Sequence, residues 1–249
     1  MRLNEQSLDP TRIGASYAER RGLIETYFDR TAADAWARLT STAPVGRIRA
    51  TVRAGRDRMR ELLLARLPWD LRGVRLLDAG CGTGALAVAA AERGAHVVAI
   101  DLSPTLIDLA RRRHAERPPA SNRQVGRIEF RSGDMLDPGP GRFDYVVAMD
   151  SLIHYDAPDA VRAVGALARH AQRAVVFTFA PATPALLAMH SIGRFFPRGS
   201  KAPAIVPVAE STLSHLLARS PAMKAFKPGV TERVASGFYT SQAMEWVRG

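Results

Sequence analysis

Apolar and polar positions along this chain fall into two alternating rhythms. Strand-like runs, some unbroken and some of period two, lie at 74–79, 96–100, 127–131, 143–149 and 172–179. Between them are segments of helical spacing at 84–94, 104–115 and 158–169. Ser103-Pro104 opens the second of these with a hydroxyl cap and a proline in the first turn. Regular alternation of strand and helix predicts an α/β fold with a doubly wound, mostly parallel sheet. Ligands of such sheets bind at the carboxyl ends of the strands. The tail reads as two further strands in a hairpin, 226–234 and 237–247, closing the sheet at seven strands.

Two regions depart from the alternation. Ahead of the first strand, 17–39 reads as a helical region, with a break, that carries Tyr27, Phe28 and Trp36. After Pro44, Ile48, Val52, Met59, Leu62 and Leu63 recur at roughly helical spacing over 45–67, and Pro68 ends the pattern. Residues 17–68 are therefore expected to form a helical cap that moves as a lid, placed before a core of 69–249. The polar stretch 1–16 is expected to be disordered. The second departure, 181–207, holds Met189, His190, Phe195, Phe196 and five prolines. A long irregular insertion after the fifth strand is expected to serve as a substrate lid above the ligand.

Composition narrows the classes. The chain has 249 residues, 47% of them hydrophobic, which suits one domain with additions. Its one cysteine, Cys81, leaves no intrachain disulfide and no cysteine-rich metal site, and no metal held by the protein is expected. The start lacks an apolar signal region and no apolar run is long enough for a bilayer, so a cytoplasmic protein is expected. A formal charge of +11 points to acidic partners. Arg47, Arg49, Arg53, Arg56, Arg58 and Arg60 fall in one segment, and Arg111, Arg112 and Arg113 form another, which suits a helix end.

The densest chemistry lies in Leu76-Leu77-Asp78-Ala79-Gly80-Cys81-Gly82-Thr83-Gly84-Ala85. A strand ends in an acid, a glycine turn follows, a helix starts, and the next strand ends in Asp101. Glycines let the backbone approach a ligand where a Cβ would collide. Asp101 stands where a carboxylate accepts from both hydroxyls of a ribose, with Leu102 and Ser103 beside it. Gly80-x-Gly82-x-x-Ala85 fits the dinucleotide fingerprint formally. Two features favour S-adenosylmethionine instead: Gly80-x-Gly82-x-Gly84, and Asp78 in front of it. Asp-x-Gly-x-Gly-x-Gly resembles the first motif of the Rossmann-like methyltransferases. Asp78 can hold the loop through backbone N–H groups or reach the cofactor's ammonium. Cys81 reads as a small residue filling the turn, with a catalytic thiol as the rival reading.

Further along, Gly133-Asp134-Met135 follows the third strand, where an acid can accept from an adenine amino group. Met149-Asp150-Ser151-Leu152-Ile153-His154-Tyr155 follows the fourth strand and faces the transferring group in such a fold. Met149 is placed with the cofactor and His154 with the chemistry. Asp150 reads as a structural acid capping the turn that follows it. The Asn/Asp-Pro-Pro-aromatic sequence of many nucleic-acid amino methyltransferases is absent, so no nucleic acid is expected as partner.

Several strings together resemble one family. They are Tyr27-Phe28-Asp29, Trp36, Ile48-Arg49-x-x-Val52-Arg53-x-Gly55-Arg56, the glycine motif, Ala148-Met149-Asp150-Ser151-Leu152-Ile153-His154-Tyr155, Phe177-Thr178-Phe179-Ala180-Pro181-x-Thr183-Pro184 and Phe195-Phe196-Pro197-Arg198-Gly199. From about Tyr27 onward the chain is similar to the magnesium-protoporphyrin IX O-methyltransferases of chlorophyll and bacteriochlorophyll synthesis. The resemblance implies a Rossmann-like class I fold. It also implies methyl transfer from S-adenosylmethionine to the C13 propionate of magnesium-protoporphyrin IX, giving the monomethyl ester and S-adenosylhomocysteine. Tyr27 and His154 are implied beside the reacting groups. Arg53, Arg56, Ser151, Phe195 and Phe196 are then candidates for holding a flat, apolar, anionic macrocycle, because arginine pairs carboxylates at two points. The resemblance also brings in the large subunit of magnesium chelatase and a peripheral membrane surface as partners for the basic segment. Another small acceptor for the methyl group stays open as the alternative.

Overall fold

The computed structural model describes residues 21–22, 40, 46–117, 126–139, 141–193 and 204–249, without the side chains of 189–193. Helix α1 (Arg47–Ala65) leads into β1 (Arg75–Ala79), and α2 (Ala85–Glu92) returns to β2 (His96–Asp101). Next come α3 (Pro104–Ala115), β3 (Arg127–Ser132), β4 (Phe143–Ala148), α4 (Ala157–Ala168) and β5 (Ala171–Phe179). The chain ends with α5 (Pro184–Gly193), α6 (Glu210–Arg219), a short 3-10 turn at Pro221–Met223, β6 (Phe226–Ser236) and β7 (Tyr239–Arg248).

One seven-stranded sheet has the order β3-β2-β1-β4-β5-β7-β6. The first five strands pair in parallel, and β7 inserts antiparallel between β5 and β6. Neighbouring residues of each central strand pack to opposite sides, as a period of two requires. Leu77, Val98, Val146 and Val175 join α4 and α6 on one face. Leu76, Val97, Val147 and Val176 join α1, α2 and α3 on the other. Helix starts follow local chemistry. Ser103 Oγ accepts from the Leu106 amide at 3.2 Å, and Asp156 Oδ1 accepts from the Asp159 amide at 3.0 Å.

The expected doubly wound, seven-stranded fold is present, with shifts of a residue or two at several element ends. Two expectations need correcting. The insertion 181–207 is not wholly irregular, since Pro184 opens helix α5. The segment between that insertion and the hairpin, for which no element was expected, forms α6 and the 3-10 turn. Residues 1–16 lie outside the described residues, as do most of 17–45 and all of 194–203.

Candidate active site

The strand order reverses between β1 and β4, and a crevice opens at their carboxyl ends. A cavity of about 860 Å³ occupies it. The glycine turn after β1 forms one wall. Gly80, Gly82 and Gly84 all have positive φ, at 79°, 55° and 78°. At Gly80 a Cβ would lie 2.4 Å from the Cβ of Ser151, so the turn and the loop after β4 meet where only glycine fits. The amides of Gly80 and Cys81 both donate to the Ile100 carbonyl, at 2.8 and 2.9 Å.

Both acids take backbone donors around the turn. Asp101 staples the turn: its Oδ2 accepts from the Gly82 amide at 2.8 Å and its Oδ1 from the Ser103 amide at 3.0 Å. Asp78 is 1% exposed, takes a hydrogen bond from the Ala87 backbone in the first turn of α2, and leaves Oδ2 without a partner among the described residues. Burial pushes its carboxyl up to about 7, with the negative charge of Asp101 adding to the rise. Burial also raises Asp101, against hydrogen bonds from the Ser103, Gly82 and Leu102 backbones. Burial and both carboxylates push the Cys81 thiol well up, which disfavours the thiolate that a nucleophile needs.

Of the residues singled out from the sequence, Asp78, Gly80, Cys81, Gly82, Asp101 and Leu102 line the cavity. So do Met135, Met149, Ser151, His154, Arg53 and Arg56. Four others do not reach its lining. Gly84 is the N-cap of α2 and packs against Phe130, and Ser103 caps α3. The Gly133 amide donates to the Asp101 carbonyl at 2.9 Å. Asp134 accepts from Arg21 Nη1 at 2.9 Å and from the Leu136 amide at 2.9 Å, which turns its carboxylate to a salt bridge and a local turn. Tyr27, Phe195 and Phe196 lie outside the described residues.

The loop after β4 forms the opposite wall. Ser151 Oγ is buried without a hydrogen-bond partner among the described residues. His154 Nδ1 lies 3.2 Å from the Ala204 carbonyl. A carbonyl only accepts, so Nδ1 carries the proton and Nε2 of the neutral ring is the acceptor. Asp150 does not cap the following turn. It accepts from Arg56, Tyr239, Ser241 and Thr178 instead. Tyr239 and Ser241 were missed in the sequence. The signal was there, since residues two apart on a strand share a face. Leu106, Ile153, Tyr155 and Ile205 also line the cavity and were not singled out.

Residues 76–173 match a family model described as a methyltransferase domain. The crystal structure of magnesium protoporphyrin IX methyltransferase from Synechocystis PCC 6803 with bound S-adenosylhomocysteine superimposes with a TM-score of 0.75 at 27% identity, covering 92% of this chain and 100% of that one. Fold and site thus define a Rossmann-like class I methyltransferase. Residues 148–248 match the model described as magnesium-protoporphyrin IX methyltransferase C-terminus. The magnesium-protoporphyrin O-methyltransferase of Rhodobacter capsulatus is 48% identical over 93% of this chain and 98% of its own length. The chloroplastic relative of Arabidopsis thaliana is 32% identical over 96% of this chain and 76% of its own. The chain belongs to the magnesium-protoporphyrin O-methyltransferase family.

Proposed function

We propose that this protein transfers a methyl group from S-adenosylmethionine to the C13 propionate of magnesium-protoporphyrin IX, giving the monomethyl ester. The observation that carries this reading is the cavity at the β1/β4 switch point, whose walls are the glycine turn and the Met149–Tyr155 loop. Its residues fit the cofactor. The partnerless Oδ2 of Asp78 suits an ammonium, and a buried carboxylate oxygen without a donor is costly otherwise. Asp101 takes backbone donors from Gly82, Ser103 and Leu102, and the roughly four acceptor positions of a carboxylate leave capacity for a hydroxyl. Met135, Met149, Leu106 and Leu102 supply apolar walls. Gly80 keeps the turn free of a side chain.

The cofactor supplies an electrophilic methyl group when bound. The acceptor carboxylate has an ordinary pKa of roughly 4 to 5 and is ionised at pH 7, so the chain need not provide a strong base. Its residues position one propionate oxygen and exclude water, and positioning of this kind is worth up to roughly 7–11 kcal/mol. His154 and, by family resemblance, Tyr27 are proposed to orient the propionate. With Nδ1–H given to Ala204, His154 donates to a carboxylate through Nε2 only as imidazolium. The same bond favours a second reading, in which Nε2 of the neutral ring meets the substrate's magnesium. Arg53 is proposed for a propionate, the N-terminal helices for a cap over the cofactor, and the exposed basic turn of α1 for a membrane surface or the chelatase subunit. Among the described residues no helix is long and apolar enough to cross a membrane.

Incubation with methyl-labelled S-adenosylmethionine and magnesium-protoporphyrin IX, followed by chromatography, tests the reaction. Labelled monomethyl ester is expected. Unlabelled porphyrin alongside intact binding of S-adenosylhomocysteine would redirect the assignment to another acceptor. His154→Ala is expected to lower kcat about 10²-fold or more with cofactor affinity kept. Unchanged turnover would remove its role.

A further inference from the structure

Asp150 is the one non-glycine residue with positive φ among the described residues, at 54°. Its side chain is 4% exposed. Oδ2 accepts from Arg56 Nη1 at 2.6 Å, and the Tyr239 hydroxyl reaches both oxygens at 3.0 and 3.1 Å. Oδ1 accepts from Ser241 Oγ at 3.0 Å and Thr178 Oγ1 at 3.2 Å. The Asp150 amide donates to that same Thr178 oxygen at 2.7 Å. Donors therefore converge from α1, β5 and β7 on a single carboxylate. A left-handed residue persists in a site loop only where its surroundings over-determine it, and here they do.

The position of this hub matters for chemistry. Asp150 opens the loop that carries Ser151 and His154 into the cavity. Arg56 lies one helical turn from Arg53, and both line the same cavity from α1. The Arg56–Asp150 pair thus sets the separation of two cavity walls that belong to elements 94 residues apart. An arginine whose charge is already compensated by a buried carboxylate at 2.6 Å has less attraction to offer an anionic ligand, and drawing it away would leave that carboxylate without its cation.

We propose that Asp150 is a positioning residue: with Arg56, Tyr239, Ser241 and Thr178 it locks helix α1 onto the loop that carries His154, and Arg56 serves this carboxylate rather than a carboxylate of the substrate. The proposal rests on the reading of the cavity as the methyl-transfer site. Asp150→Asn removes the charge and one acceptor oxygen while sparing the backbone, because asparagine also tolerates the left-handed conformation. Arg56→Gln removes the other partner, and the double variant closes a cycle.

Each single substitution is expected to lower kcat tenfold or more, since a misplacement of about 1 Å can cost 10²-fold. KM and the porphyrin dissociation constant, read by porphyrin fluorescence, stay within about threefold. The double variant turns over no more slowly than the slower single one. Hydrogen exchange of amides 47–60 and 149–155 quickens in both. A tenfold loss of porphyrin affinity in Arg56→Gln but not in Asp150→Asn would overturn the proposal, as would multiplying kcat losses or wild-type turnover in Asp150→Asn. Should Asp150→Asn fail to fold, Tyr239→Phe and Ser241→Ala each remove one donor. Smaller kcat losses at unchanged porphyrin affinity then support the hub, and unaltered kcat in both overturns it. If the wild-type protein esterifies no porphyrin, the reaction assignment fails while exchange still decides the hub. Faster exchange at both walls in Arg56→Gln retains it, and unchanged exchange rejects it.

Discussion

The carboxyl of Asp78 reports on the site more directly than any other group. Burial holds it near a pKa of about 7, against roughly 3.9 in an unfolded chain. A folded pKa raised above the unfolded one gives stability that is complete below pH 4 and lost as pH rises through 7. The span amounts to about 4 kcal/mol, of which the whole is missing at pH 8. Asp78→Asn is therefore expected to raise the melting temperature of the ligand-free protein at pH 8 and to flatten its fall between pH 5 and 8. Asp101, also raised by burial, leaves part of the slope. A cation beside Asp78 favours its ionised form, so the affinity for S-adenosylhomocysteine should climb with pH through about 7. Asp78→Asn should remove most of that climb and weaken binding at pH 8 about tenfold or more. Scanning and titration calorimetry check both. A variant that melts lower at pH 8 and binds with an unaltered pH profile would dissociate Asp78 from the ammonium. Both acids were legible in the sequence because each stands at the carboxyl end of a strand, before a turn. That Asp101 staples the turn was not, because it depends on the register that sets Ala79 beside Ile100 and brings Gly82 to Asp101.

Among the elements, α1 is the one whose sequence looks least suited to its place. Gly55 sits in its interior, where glycine costs about 1 kcal/mol relative to alanine. The reason is Tyr239 of β7: a Cβ on Gly55 would lie 2.5 Å from its Cδ1 and 2.7 Å from its Cγ. Overpacking of this kind costs about 1–3 kcal/mol and outweighs the gain in propensity. Gly55→Ala is thus expected to lower the melting temperature, by about 2–4 °C for each net kcal/mol in a chain of this size. It should also disturb the Tyr239 hydroxyl that reaches Asp150, and slow turnover with it. A variant as stable and active as the wild type would mean that α1 and β7 can separate without cost. The central strands were legible because their apolar runs are nearly unbroken. Helix α6 was not, because only Leu213 and Leu217 of its ten residues are buried. The prolines of 181–207 read as breakers, yet Pro184 stands at a helix start, where a missing N–H costs nothing.

For the whole molecule, the C-terminal hairpin does more than close an edge. Strand β7 lies between β5 and β6 and is buried along most of its length. Met244 and Trp246 enter the core with α4 and α6, while Tyr239 and Ala243 enter the core with α1. Tyr239 and Ser241 also reach the site through Asp150. A hairpin was legible from the sequence, but which of its strands would lie against β5 was not, because pairing partners are chosen by tertiary packing. Exposed ion pairs such as Arg72–Asp70 and Arg131–Glu129 are screened by solvent and cannot replace this packing. Trp246, Met244 and Phe226 are 2%, 2% and 6% exposed. At about 1.5–3 kcal/mol for each large apolar side chain, these three alone contribute an amount comparable to a typical domain's net stability of about 5–15 kcal/mol. Removal of 225–249 should therefore abolish the cooperative melting transition and the near-ultraviolet circular dichroism of the aromatic residues. Binding of S-adenosylhomocysteine should go with them, although every cavity-lining residue is still present. A truncated chain that melts cooperatively and binds the ligand would show that the five parallel strands form the site by themselves, and that the hairpin acts on catalysis through Asp150 alone.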